Sequence, residues 1–252
     1  MRSLPTLNAN QKDRRAFLQA AAAAAAALAG NLPFAALAQT GTSAKMKIGT
    51  VGSGRVGSAI GGAWVKAGHE VMFSSLDLEA DKKLAARLGA GARAGTPREA
   101  AAFGAVLLVT VPYSALPGVG RDLGDLIKGK IIIDTSNPIV ARDGEMAVAA
   151  REKGAGIASQ EFLPGARIVR AFNAIGAARM AEAASKSERV GMPIAGDDPD
   201  AIRVASVLIR DVGYEPVLVG TLAAMGKYLI PGTPLAGEHS PEEIRKLAAT
   251  LR

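Results

Sequence analysis

Gly52, Gly54 and Gly57 stand in the spacing G-x-G-x-x-G. They follow Lys47-Ile48-Gly49-Thr50-Val51, a run that reads as a strand, and precede Val56–Ala67, an amphipathic stretch that reads as a helix. In that setting each glycine has a physical task. Gly52 permits a tight turn out of the strand. Gly54 lacks the Cβ that would keep a pyrophosphate off the backbone, and Gly57 lets the helix pack close to the strand. The unpaired N–H groups that open the helix, together with its dipole, then form an anion site. The pattern predicts a dinucleotide site with Gly52, Ser53, Gly54, Arg55, Val56 and Gly57 around the pyrophosphate.

The rest of the chain has the rhythm such a fold needs. Strands are expected at Lys47–Val51, Glu70–Ser74, Val106–Val111, Lys130–Asp134, Arg167–Ala171, Val190–Ala195 and Pro216–Val219, with a short one at Ala92–Ala94. Helices are expected at Val56–Ala67, Glu79–Leu88, Ala115–Ile127 and Asp198–Val212. The runs Val106–Val111 and Ile131–Ile133 are continuously apolar, as strands are when helices cover both faces of a parallel sheet. This order predicts an α/β chain: a Rossmann-type, doubly wound, mostly parallel sheet over 46–219. Residues 220–252 are too few for a separate helical substrate domain. They are expected to form a short extension that covers the cleft or joins a homodimer.

The N-terminus reads as an address rather than as structure. Asp13-Arg14-Arg15-Ala16-Phe17-Leu18-Gln19 resembles the twin-arginine export motif. An alanine-rich run, Ala20–Ala29, follows, and Ala36-Leu37-Ala38 supplies a small-x-small cleavage pattern. Residues 1–38 are therefore expected to be a signal peptide and 39–45 a linker. The protein would be periplasmic, with the twin-arginine translocase as an export partner. Pro33, Gly30 and the weak hydrophobicity of alanine argue against a stable membrane anchor.

Composition excludes several chemistries. There is no cysteine, which removes disulfides, thiolate nucleophiles and Cys-based metal sites. Two histidines, His69 and His239, make a His-based metal site improbable. Aromatic residues are only 4% of the chain and the net charge of +7 is dispersed, with Arg2, Lys12, Arg14 and Arg15 in the leader, so nucleic acid is not an expected partner.

The end of the second strand bears on which cofactor binds. An acidic residue there, about 20 residues beyond the turn, favours an unphosphorylated ribose. This chain has Ser74 and Ser75, with Asp77 slightly beyond. Hydroxyls can donate to a 2′-phosphate, and Arg55, Lys82 and Lys83 are nearby cations, so NADP(H) is favoured over NAD(H).

The segments Met46–Gly54, Gly68-His69-Glu70-Val71 and Ser74-Ser75 resemble NADPH-dependent deazaflavin (coenzyme F420) reductases. So do Thr110–Tyr113, Asp134–Pro138, Val169–Ala174 and Ala195–Asp198. The resemblance implies an NADP-dependent oxidoreductase that exchanges a hydride with a deazaflavin or flavin. It places Gly52–Val56 on the pyrophosphate and Ser74 and Ser75 on the 2′-phosphate. Thr110, Val111, Pro112 and Tyr113 would line the nicotinamide side of the cleft, and Asn137, Pro138, Asn173 and Ala174 would border the second substrate. Leu76 stands where the family commonly has arginine.

No Ser-His-Asp set, paired carboxylates or Lys-Tyr couple stands out, so no catalytic acid or base is named. Direct hydride transfer between two stacked rings needs orientation and little proton chemistry. Two other readings remain: an imine or carbonyl reductase similar to pyrroline-carboxylate reductases, and a non-catalytic dinucleotide-binding module.

Overall fold

A computed structural model of the chain describes residues 44–182 and 189–251. The expected twin-arginine motif and cleavage site lie outside the described residues. The described residues form one eight-stranded sheet in the order β3-β2-β1-β4-β5-β6-β7-β8. The chain runs β1 (Lys47–Val51), α1 (Arg55–Lys66), β2 (Glu70–Phe73), α2 (Leu78–Leu88), β3 (Ala92–Ala94), α3 (Pro97–Phe103) and β4 (Val106–Val109). Next come α4 (Leu116–Ile127), β5 (Ile131–Asp134), α5 (Val140–Asp143), α6 (Glu145–Lys153), α7 (Ala155–Phe162) and β6 (Arg167–Arg170). It continues through α8 (Ala177–Glu182), β7 (Gly191–Gly196), α9 (Pro199–Asp211), β8 (Glu215–Gly220), α10 (Leu222–Met225) and α11 (Pro241–Thr250).

Strands β3 to β6 pair in parallel around β1, which is the doubly wound arrangement. The apolar strands are covered on both sides. Along β4, Val106 and Leu108 join one buried cluster while Leu107 and Val109 join the other. The period of two along a strand sends alternate side chains to opposite faces, and a helical layer meets each face.

Beyond β6 the sheet departs from all-parallel order. Strand β7 is antiparallel to β6, with Val169 opposite Gly196 and Arg170 opposite Ala195, and β8 runs parallel to β7. The carboxyl ends of β1, β4, β5 and β6 therefore share an edge with the start of β7. The segment Gly196-Asp197-Asp198 leaves β7 at the far edge, where Asp198 pairs with Arg167 at the start of β6 at 2.5 Å and caps α9. It carries the family resemblance but stands away from the cleft.

Residues after β8 pack on the same body. Leu222, Met225, Leu229, Leu235, Ile244 and Ala248 belong to the second core cluster. The chain between α10 and α11 reaches the carboxyl edge of the parallel strands, where Gly237 N–H donates to Ala174 O at 2.9 Å. Among the described residues no helix is long and apolar enough to cross a membrane.

Candidate active site

The turn after β1 is built by close approaches. Gly52 has φ +99°, and a Cβ there would lie 2.6 Å from Thr110 O. Its carbonyl accepts from Thr110 Oγ1 at 2.6 Å, and its N–H donates to Ser74 O at 2.9 Å. Gly52 thus shapes and ties the turn; its N–H is already spent on β2. A Cβ at Gly57 would lie 2.0 Å from Gly52 O, so only glycine lets α1 start this close to the strand.

Gly54 is different. It is the N-cap of α1, has no side chain to satisfy the opening N–H groups, and a Cβ there would meet nothing within 4 Å. Bare amides beside open space are what a pyrophosphate needs. The residues present therefore fit the phosphates of a dinucleotide.

A cavity of about 1380 Å³ extends from this turn. Gly52 and Gly54 border it from the turn, Ser75 and Leu76 from the end of β2, and Thr110, Val111 and Pro112 from the end of β4. Thr96, Pro97 and Arg98 at the start of α3, and Pro117 to Val119 with Arg121 to Leu123 on α4, also border it. Nothing in the sequence points to these wall residues, because α3 and α4 carry no ligand motif. The cavity lies at the carboxyl ends of parallel strands and at the reversal of strand order, where open α/β sheets bind ligands.

The two serines that follow β2 separate. Ser74 is fully buried, and its hydroxyl donates to Thr50 O at 2.5 Å. Its N–H and hydroxyl both bond to Thr50, so the expected 2′-phosphate contact is corrected: Ser74 ties the end of β2 to β1. Ser75 borders the cavity, but its hydroxyl donates to Asp81 Oδ2 at 2.8 Å and accepts from Asp77 N–H at 3.1 Å. Leu76 is fully exposed at the cavity rim. Of the expected cations, Lys82 pairs with Glu79 at 2.8 Å.

Tyr113 also needs correction. Its ring is buried, edge-on to Phe162, and its hydroxyl donates to Ala155 O at 2.8 Å. Burial pushes the phenol up to about 12, with the hydrogen bond to Ser159 opposing. Tyr113 anchors the layer of α4 and α7; it does not line the nicotinamide side, whereas Thr110, Val111 and Pro112 face the cavity.

Asn137 and Asn173, far apart in sequence, meet at the ends of β5 and β6, where Asn137 Nδ2 donates to Asn173 O at 2.7 Å. Arg142 and Arg151 hold the Asn137-Pro138 turn by donating to its two carbonyl oxygens, each at 2.8 Å. Asn173 and Ala174 are buried behind this corner. Phe172 supplies the sharp turn with φ +63°, rare for a residue with a Cβ. Ile139 and Val140 leave the corner 38% and 45% exposed, an apolar surface on the same sheet edge.

Beneath the corner lies an ion pair missed in the sequence. Arg170 Nη1 donates to Asp134 Oδ2 at 2.6 Å, with neither side chain exposed. Asp134 also accepts from Ser136 N–H and Ser159 Oγ, and Arg170 Nη2 donates to Leu229 O at 3.1 Å. Charged residues ending two neighbouring apolar runs, Ile131–Asp134 and Ile168–Arg170, were the available signal.

Comparison with known proteins agrees with this geometry. Residues 47–138 match the family described as NADP oxidoreductase, coenzyme F420-dependent. The chain is 31% identical over 180 residues to the F420-dependent NADP reductase of Methanothermobacter marburgensis, covering 66% of this chain and 80% of that one. Identity to its counterpart in Methanothermobacter thermautotrophicus is 29% over 180 residues, covering 66% and 77%. A hypothetical protein from Sinorhizobium meliloti superposes with TM-score 0.68 at 26% identity, covering 77% of this chain and 95% of that chain. A glycine turn opening onto a cavity at the reversal of strand order, with this relationship to the Methanothermobacter reductases, places the chain in the coenzyme F420-dependent NADP oxidoreductase family as a nicotinamide-dependent oxidoreductase.

Proposed function

We propose that the protein binds NADP(H) in the cavity and exchanges a hydride with a deazaflavin or flavin. The observation that carries this reading is Gly54: an uncapped helix start beside open space, continuous with the cavity over β1 and β4. The family's cofactor and the M. marburgensis relative supply the chemical class. Bound there, the nicotinamide would supply or accept the hydride. The residues of this chain orient the reactants. The start of α1 holds the pyrophosphate, Thr110 braces the turn, and Val111 and Pro112 offer an apolar wall that excludes water. Ile139 and Val140 offer a second ring an apolar seat on the same edge. Neither serine nor tyrosine is asked to move a proton.

An anaerobic panel of NADPH with coenzyme F420, FMN and a quinone tests this. Rapid NADPH-dependent reduction of the deazaflavin or FMN is expected. Tight NADPH binding with no hydride transfer to any acceptor would leave a binding module instead.

The twin-arginine motif supports export to the periplasm as a folded protein. Replacing Arg14 and Arg15 by lysine should hold the precursor in the cytoplasm; undiminished export would refute this route.

A further inference from the structure

A smaller hollow of about 320 Å³ adjoins the phosphate turn, bordered by Ser53, Gly54, Ser58, Ser75, Asp81 and Arg87. It shares Gly54 and Ser75 with the larger cavity, so it lies beside the turn and the end of β2, where a ribose 2′-substituent would point. The group that dominates it is Asp81, on the first turns of α2 and only 1% exposed. Its Oδ1 accepts from the Ser53 hydroxyl and its Oδ2 from the Ser75 hydroxyl at 2.8 Å. No salt bridge to Asp81 occurs among the described residues. Arg87 borders the hollow but makes no hydrogen bond to it.

We propose that Asp81 limits the preference of this site for the phosphorylated cofactor and is its specificity-determining residue. The inference rests on the cavity being the dinucleotide site. A hydroxyl has one proton. Ser53 and Ser75 spend theirs on Asp81, so they turn only lone pairs toward the hollow. Lone pairs suit a ribose hydroxyl, which can donate. A 2′-phosphate brings acceptors and negative charge. It would have to take the serine protons from a buried carboxylate and then sit close to that carboxylate's charge. With Leu76 offering no guanidinium, the remaining attraction comes from exposed cations around the rim. The site therefore accepts both cofactors with a small margin between them.

The test is calorimetric titration of the full mature chain with NADPH and with NADH at one ionic strength, for wild type, Asp81→Asn and Asp81→Ser. Wild type is expected to favour NADPH by about tenfold or less; a larger margin overturns the proposal. Asparagine keeps the shape, removes the charge and frees at least one serine proton. In a variant whose melting confirms folding, the NADPH-to-NADH affinity ratio should rise about tenfold over wild type. An unchanged or lower ratio in either folded variant overturns the proposal. If wild type binds neither nucleotide, the dinucleotide reading fails and this inference falls with it, an outcome distinct from a change in ratio.

Discussion

At the residue scale, two glycines in one turn do opposite work. Gly54 has φ −64° and ψ −158°, extended backbone open to any L residue, and its missing Cβ faces empty space. Gly54→Val should therefore fold with little change in melting temperature yet bind NADPH at least ~100-fold more weakly, because its branches fill the pyrophosphate's place. Normal affinity in the folded variant would refute the phosphate-turn assignment. Gly57→Ala should fail differently, since its Cβ would collide with Gly52 O at 2.0 Å. Loss of stability is expected before loss of binding, read by melting and titration together. Ser74 gives a third outcome. Its hydroxyl serves Thr50 O inside the sheet, so Ser74→Ala should cost about 1 kcal/mol of stability. The ratio of NADPH to NADH affinity should stay at its wild-type value; a shifted ratio would return Ser74 to the cofactor site.

At the element scale, the pair between β5 and β6 ties the carboxyl ends of these strands to the segment after α10. Arg170 joins Asp134, Ser136 O and Leu229 O, and thereby links two parallel strands to the segment after α10. Arg170→Met strands Asp134 without its charged partner and should destabilise by about 3–5 kcal/mol in urea unfolding. Adding Asp134→Leu should recover much of that loss, because two apolar groups leave no buried charge behind. A double variant no more stable than the single one would show that the remaining hydrogen bonds matter more than the charges. Elements such as α6, α7 and α8 were not predicted, for a related reason. Their Ala-rich and Gly-rich sequences, as in Ala155-Gly156-Ile157-Ala158-Ser159, lack the polar and apolar contrast that marks a helix. Packing rather than local pattern makes them helical: α7 lies against α4, α6 against α5 and α7, and α8 against α1.

At the scale of the whole molecule, acid should unpick the far edge of the sheet. Hydrogen bonds from Arg167 and from Ala201 N–H hold Asp198 at about 2, below the usual carboxylate range. Its contribution is complete above the unfolded value near ~4 and is lost as pH falls through about 2. Asp143 acts in the same direction: burial alone would raise it, but hydrogen bonds from Arg142, Ile139 N–H and Ser114 N–H outweigh that and hold it low. Stability should fall between pH 4 and 2, and Asp198→Asn should flatten that fall; an identical acid limb would remove Asp198 from the account. The same edge shows where local reading ends. The glycine spacing, the apolar runs of β1, β4 and β5 and the βα alternation are properties of neighbours in the chain. They suffice for a doubly wound sheet and its phosphate turn, because strand burial and helix amphipathicity are periodic in sequence. Tertiary structure alone decided that Ser74 and Tyr113 turn inward, that Asn137 meets Asn173, that β7 runs against β6 and that Asp81 takes the protons of Ser53 and Ser75. Apart from the Ser75–Asp81 contact, which spans six residues, each depends on which residue 24 to 42 places away arrives on which face, and a sequence period carries no record of that pairing.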